Sequence, residues 1–390
     1  MKRYSGLIAF LVIAVLMVTM VVSCASTPTT SAPPASTTAK PPASTTAAPP
    51  PPPSSTAAPP PPPSTSTAPP PPPPSTTAAP KMTLRLTIPN PPGDELTVNC
   101  EEFAAAVAKR TNGQYIVRVF PGETQIKLPE TYDAVRTGAA EMALIGIGIF
   151  EGMDPRLAEL PFTVNNIRAN EAAAWPFAQL CSTEVHEKKL NMKVIACYAT
   201  GGQELWSTKP IKTLEDWKGL LCGASNPESS AVITGLGGSS VPISWTDFYT
   251  ALQKKTVDAC LNSIRGSIVF KIPDVAKYLT LCYSTGTYLA YHINLDTWNK
   301  LPKDIQQIIF DEAQAASLRM QAQQIKEREE TDLDTVVKSG VNVYDLPKAE
   351  YERWKAALAP YVNKRLAEMG DFGVKSKAIY DKVNADFPLK

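Results

Sequence analysis

The chain has 390 residues, with 38 Lys and Arg against 37 Asp and Glu and a formal net charge of +1. That balance supplies no basic stripe of the kind a nucleic-acid-binding protein carries. Its 38 prolines are concentrated rather than spread, so part of the chain cannot build a core. Lys2 and Arg3 precede an apolar run from Gly6 to Val22, followed by Ser23 and Cys24. This is the layout of an export signal. The run is marginal for a spanning helix, which needs about 20 apolar residues, and an uncleaved anchor is the alternative. From Ala25 to Pro80 only Ala, Ser, Thr and Pro occur apart from Lys40, and 22 of the prolines fall there. Such a segment buries nothing and favours polyproline II. At full extension it is a spacer on the order of 170 Å, rich in Ser and Thr that glycosylation can modify.

Residues 81–390 are enough for two domains. "MTLRLTI" (82–88) alternates as a strand does, and the breaker "PNPPGD" leads into a helix near 96–109 whose apolar face holds Phe103, Ala106 and Val107. "YIVRVF" (115–120) is a second strand, and a helix at 129–137 precedes "EMALIGIG" (141–148), the continuous apolar run of a strand buried on both faces. A helix over 169–189, a strand at 193–199, a strand at 219–224, a helix at 228–236 and a strand at 239–243 continue the alternation. A helix at 246–254, a strand at 258–263, a helical or irregular stretch near 266–274 and a strand at 278–284 follow. Alternation of this kind predicts a mostly parallel α/β sheet. One unusually long helical pattern runs from Pro302 to about Lys338 and suggests a helix bridging two domains. Helices at 347–369 and 374–385 end the chain.

Motifs for catalysis are missing. The two histidines, His186 in a charged helix and His292 in a strand-like "LAYHINL", have no metal-ligand spacing with another His, Cys or carboxylate, so structural roles are expected. There is no G-x-S-x-G elbow and no P-loop. "GLGGSS" (235–240) reads as a turn, and Glu329-Glu330 as a solvated helix face. Beyond Cys24 the six cysteines are scattered without a C-x-x-C framework, which suits buried thiols. A Cys222–Cys260 bridge is the alternative. No cofactor or metal is implied, and a binding protein is the stronger class than an enzyme.

Six phrases occur in order: "FAAAVAKRTNGQYIVRVFPG" (103–122), "ELPF" (159–162), "KPIKTLEDWKGL" (209–220), "FYTALQKKTVDACLN" (248–262), "KYLTL" (277–281) and "NLDTWNKLPKDIQQIIFDEA" (294–313). Together they resemble the extracytoplasmic solute-binding proteins of tripartite ATP-independent periplasmic (TRAP) transporters, the DctP-like family, over essentially all of 82–385. The resemblance implies a two-domain, type II periplasmic-binding-protein-like α/β fold with hinge strands and one long domain-spanning helix. It implies domain I over 81–200 plus 289–328 and domain II over 201–288 plus 329–390. It also implies a small organic solute caught in an interdomain cleft by hinge closure and passed to membrane permease subunits. The tetrad Val21-Val22-Ser23-Cys24 resembles a bacterial lipoprotein signal, with residues 1–24 as signal peptide, Cys24 lipidated and 25–80 as tether. The protein is then extracytoplasmic and anchored to the cell membrane. A lipoprotein that signals its bound state to a receptor is the other-class alternative.

In most relatives the strand matching 219–224 reads Gly-Leu-Lys-Ile-Arg, and the resemblance makes that arginine the grip on a ligand carboxylate, its planar fork meeting both oxygens. Here Gly223 takes its place. A second basic contact falls on Gln203 and a polar one on Gly146, while Asn262 and Asn226 keep polar family positions. Asn90, in the breaker after the first strand, joins the ligand-binding set. Two readings of the ligand follow. It is neutral or largely apolar and held by Trp206, Trp245, Phe248 and amides, or Arg265, three residues after Asn262, swings in as a substitute clamp. Trp206 and Trp245 are otherwise core aromatics, and Arg265 a surface residue.

Overall fold

The computed structural model describes residues 81–327 and 331–389. The expectations for the signal, Cys24 and the tether lie outside those residues, as does Glu329-Glu330. Among the described residues no helix is long and apolar enough to cross a membrane.

Eleven strands are described: β1 (Met82–Ile88), β2 (Tyr115–Pro121), β3 (Met142–Gly146), β4 (Met192–Thr200), β5 (Glu204–Ser207), β6 (Leu221–Ala224), β7 (Ser239–Pro242), β8 (Ala259–Asn262), β9 (Tyr278–Leu281), β10 (Thr287–Asn294) and β11 (Asn342–Asp345). They form two sheets, one in the order β2-β1-β3-β10-β4 and one in the order β11-β9-β5-β8-β6-β7. Both are mixed rather than mostly parallel. β1 runs parallel to β2 and β3, but β10 is antiparallel to both β3 and β4. In the second sheet β6 is parallel to β7 and β8, whereas β5 is antiparallel to β8 and β9. The antiparallel pairs have one cause. The chain leaves the first sheet through β4 into β5 and returns from β9 into β10, so each sheet receives one strand running the opposite way to its parallel neighbours.

Those two crossings are stitched together. Gln203 N donates to Thr285 O at 2.9 Å and Ser284 N to Gln203 O at 2.9 Å. Glu204, wholly buried, accepts from Cys282 N at 2.7 Å and Tyr283 N at 2.8 Å. Asn170 Nδ2 reaches Thr200 O at 3.0 Å, and its Oδ1 lies so near Gly286 that a Cβ there would come within 2.2 Å. A side chain at position 286 would have to displace the Asn170 amide.

Local chemistry sets the helix starts. Asp94, Asn166, Asn226, Ser263 and Asn294 each accept a backbone N–H from the first turn of the helix they precede, satisfying a donor that would otherwise be orphaned. The long pattern after Pro302 is a helix over Lys303–Glu327 and a second over Leu333–Lys338. The first alone is about 37 Å long at 1.5 Å per residue. It packs Ile305, Ile309, Ala313, Ala316 and Met320 against the first sheet, and the chain beyond Lys338 adds β11 to the second sheet. The helix expected over 169–189 is Ile167–Cys181, a π-helical turn Ser182–His186 and Glu187–Lys189.

Helix Lys348–Glu368 places Tyr351, Trp354 and Leu358 in the second sheet's core, where Trp354 meets Trp217 edge-on at 5.3 Å. The final helix, Asp371–Asp386, instead packs Phe372, Tyr380 and Val383 with Phe177 and Tyr288 of the first sheet's core. The division that puts all of 329–390 in the second domain is therefore corrected for this helix, because its apolar face is buried on the first. The six cysteines outside the signal are free and buried. Cys222 and Cys260 lie in cores on opposite faces of the second sheet, which excludes a bridge between them.

Candidate functional site

Strand direction decides where a site can form. In open α/β sheets ligands collect beyond the carboxyl ends of parallel strands. In the first sheet β1 ends at Ile88, two residues before Asn90, and β3 ends at Gly146, beside the residues where β4 leaves and β10 enters. In the second sheet β6 ends at Ala224, two residues before Asn226, and β8 ends at Asn262, on the edge where β5 enters and β9 leaves. Both carboxyl edges thus flank the two crossing strands. Asn90, Gly146, Gln203, Gly223, Asn226, Trp245, Asn262 and Arg265 are brought to these edges from separate parts of the chain.

Their individual duties differ. Asn90 Nδ2 donates to Asp94 at 3.0 Å and its carbonyl accepts Gly122 N at 2.7 Å, so it shapes the turn that starts helix Glu95–Arg110. Gly146 is buried against Ile149. Gln203, half-buried, donates from Nε2 to Thr287 Oγ1 at 3.2 Å, tying one crossing strand to the other. Asn226 caps helix Pro227–Gly235 through Ser229 N at 2.7 Å, which occupies its Oδ1. Trp245 is half-buried and stands edge-on to Phe270 at 4.8 Å.

Trp206 does not join this set. It is wholly buried among Phe248, Cys260, Ile264 and Leu279, so it is a core residue and not a wall of the cleft. Gly223 faces the same core: a Cβ there would lie 2.9 Å from Phe248 Cε1 and 3.2 Å from Cδ1. Phe248, itself wholly buried, fills the space that a side chain at 223 would need.

Asn262 is different. It is 8% exposed, and its Nδ2 has no hydrogen-bond partner among the described residues. A buried amide donor left unpaired costs about 1–3 kcal/mol, so the position makes sense when something with an acceptor oxygen arrives. Arg265 sits one turn further on, and its guanidinium is already held by acids, with Glu95 at 3.8 Å and Asp332 at 3.5 Å. Glu95 begins the helix after β1, so this contact links the two sheets' edges. Among the described residues no group of three or more His, Cys, Asp or Glu is arranged to hold a metal.

A family model described as bacterial extracellular solute-binding protein, family 7, matches residues 89–368. The chain belongs to this family. Its relatives include the 2,3-diketo-L-gulonate-binding periplasmic protein of Escherichia coli, 26% identical over 64% of this chain and 77% of the relative. The C4-dicarboxylate-binding periplasmic protein of Rhodobacter capsulatus is 25% identical over 68% of this chain and 81% of its own length. Among solved structures, a TRAP periplasmic solute-binding protein from Ochrobactrum anthropi, its C-terminus bound in its ligand pocket, superimposes with a TM-score of 0.72. It is 27% identical and covers 78% of this chain and 96% of that one. The chain is therefore an extracytoplasmic solute-binding component of TRAP-type transport, with the two-domain α/β fold of that class, and not an enzyme.

Sequence reasoning passed over the acids of this solute-binding protein. Glu204 was reachable only through the crossing geometry. Glu159, in the quoted "ELPF", is buried with Oε1 accepting Tyr288 N at 2.9 Å, and burial pushes its carboxyl up to about 8 despite backbone donors from Tyr288 and Gly148. Glu151 and Glu228, buried beside one another, are pushed up as well, burial first and, for Glu151, the neighbouring Glu228 second. Glu151 follows a strand of the first sheet and Glu228 one of the second, while Arg265 follows Asn262 by three residues.

Proposed function

We propose that this protein, held at the membrane through Cys24 and its proline-rich tether, captures a small polar solute without net negative charge between the two sheet edges. It then closes by rotation about the crossing strands and delivers the solute to TRAP permease subunits. The carrying observation is the pairing of an unsatisfied, nine-tenths buried Asn262 Nδ2 with an Arg265 whose charge Glu95 and Asp332 already balance. Burying a carboxylate without a paired cation is costly, and position 223 has neither a cation nor room for one. Carbonyl and hydroxyl oxygens, in contrast, suit an amide donor.

A second reading rests on the relatives that bind 2,3-diketo-L-gulonate and C4-dicarboxylates. The Arg265 side chain is 35% exposed, and an acid could displace Glu95 from it. Native mass spectrometry of the purified protein, followed by identification of the released solute, tests both. An uncharged solute supports the first reading, an organic acid the second, and a covalently altered product of an added substrate would overturn the solute-binding reading itself.

A further inference from the structure

The first sheet's core holds the chain's two histidines, His186 and His292, both wholly buried. His186 closes the π-helical turn Ser182–His186, and turns of that kind are frequent at functional positions. Ser182 pins the turn: its hydroxyl donates to Glu187 Oε1 at 2.9 Å and accepts Val194 N at 3.0 Å. His292 comes from β10, which follows the second crossing. The two rings are 5.3 Å apart, and the Tyr132 ring lies 6.1 and 6.2 Å from them. A helix, a π turn and a strand thus bring three rings to one spot.

His186 Nδ1 lies 2.9 Å from Cys181 O, and His292 Nδ1 lies 2.9 Å from Ala290 O. A carbonyl only accepts, so each Nδ1 carries a hydrogen. Burial holds both rings below their usual range, so both are neutral near pH 7. With its one hydrogen on Nδ1, each ring presents Nε2 as a bare acceptor, and neither Nε2 can bond to the other. Neither has a partner among the described residues. Two buried acceptors on neighbouring rings call for one group that donates twice.

We propose that a single buried water bridges His186 and His292, donating one O–H to each Nε2. An oxygen about 2.8 Å from each nitrogen spans up to about 5.6 Å, in keeping with rings 5.3 Å apart. A metal ion would also satisfy two lone pairs. However, among the described residues no group of three or more His, Cys, Asp or Glu is arranged to hold one, and an unpaired charge in a dry core is costly. Water is neutral, and buried waters characteristically hold such polar groups together. Here it fixes both tautomers and ties β10 to the π turn. The site belongs to the first core and does not depend on what the solute is.

The test is nuclear magnetic resonance of the untagged full chain carrying Cys24→Ala, labelled with nitrogen-15 at histidine. The chain has two histidines, so every ring signal belongs to this site. Both rings are expected as Nδ1–H tautomers, with both Nε2 resonances at the hydrogen-bonded position. Each ring should also give a rotating-frame cross-peak to water. In His292→Phe the water loses one anchor, and His186 should lose both its water cross-peak and its hydrogen-bonded Nε2 shift. Rings with histidines intact that show no water contact, or an Nε2 at the unbonded position, overturn the proposal whether or not the variant folds. An unchanged His186 spectrum in His292→Phe overturns it as well. So does a metal present in stoichiometric amount whose removal by a chelator shifts the ring signals.

Discussion

Gly223 shows how one residue can settle what a neighbour cannot do. With the Phe248 ring 2.9 Å from the place of a Cβ, Gly223→Arg must move that ring out of a closed core. Overpacking of this kind costs about 1–3 kcal/mol, so thermal unfolding should show a clear loss of Tm. Adding Phe248→Val should recover much of it. If Gly223→Arg melts like wild type, the ring is not where the strand needs it. Asn262 predicts the opposite pattern. Because its Nδ2 has no acceptor in the folded chain, Asn262→Leu should leave stability unchanged or slightly raised. It should weaken binding of the co-purified solute by tenfold or more, the worth of one hydrogen bond to a buried donor. Loss of stability with unchanged affinity would make Asn262 a structural residue. Neither assignment could be read in full from the sequence. The absence of an arginine at 223 was visible, but the ring that fills its place was not. Trp206 reads in the sequence either as a contact to a neutral or largely apolar ligand or as a core aromatic, and its full burial decides for the core.

Among the elements, the π-helical turn at Ser182–His186 and strand β10 bring two histidines together in the first core, their rings tilted by 44°. Their rings are 5.3 Å apart, each Nδ1 lies 2.9 Å from a carbonyl, of Cys181 or of Ala290, and neither Nε2 has a partner among the described residues. Burial holds His186 down at about 4, and burial together with the His186 charge holds His292 well below its usual range. The sign follows from where protons go. Below about 6.5 the unfolded chain takes up protons that the folded core refuses. These histidines therefore cost stability as pH falls from about 6.5 toward 4, and nothing above it. His292→Phe should flatten that arm of a Tm–pH curve, and an unchanged slope would show that the histidines do not set it. Glu204 gives a second expectation at this scale. Glu204→Ala leaves Cys282 N and Tyr283 N without their acceptor, at about 1–3 kcal/mol each, and should lower Tm more than any substitution of an exposed acid. The alternation of strands and helices was legible throughout the sequence. The strands β5 and β11 were not read from the sequence. Nor was the antiparallel setting of β10, which comes from the path between the sheets and not from its own residues.

At the scale of the molecule, two mixed sheets are joined by stitched crossing strands, with Asn262 at the end of β8 and an acid-paired Arg265 just beyond it. The family and the two-domain plan were readable from ordered phrases spread over the chain. The return of the last helix to the first sheet was hidden, since an amphipathic helix does not say which core receives its apolar face. Solute capture without a carboxylate clamp is tested most directly by calorimetric titration of wild type and Arg265→Ala, with succinate and with the solute recovered from the purified protein. The expected result is no measurable succinate binding, and binding of the recovered solute that changes less than about threefold in Arg265→Ala. Tight succinate binding in wild type that falls more than a hundredfold in Arg265→Ala, the loss expected from breaking a buried ion pair worth about 3–5 kcal/mol, would contradict it.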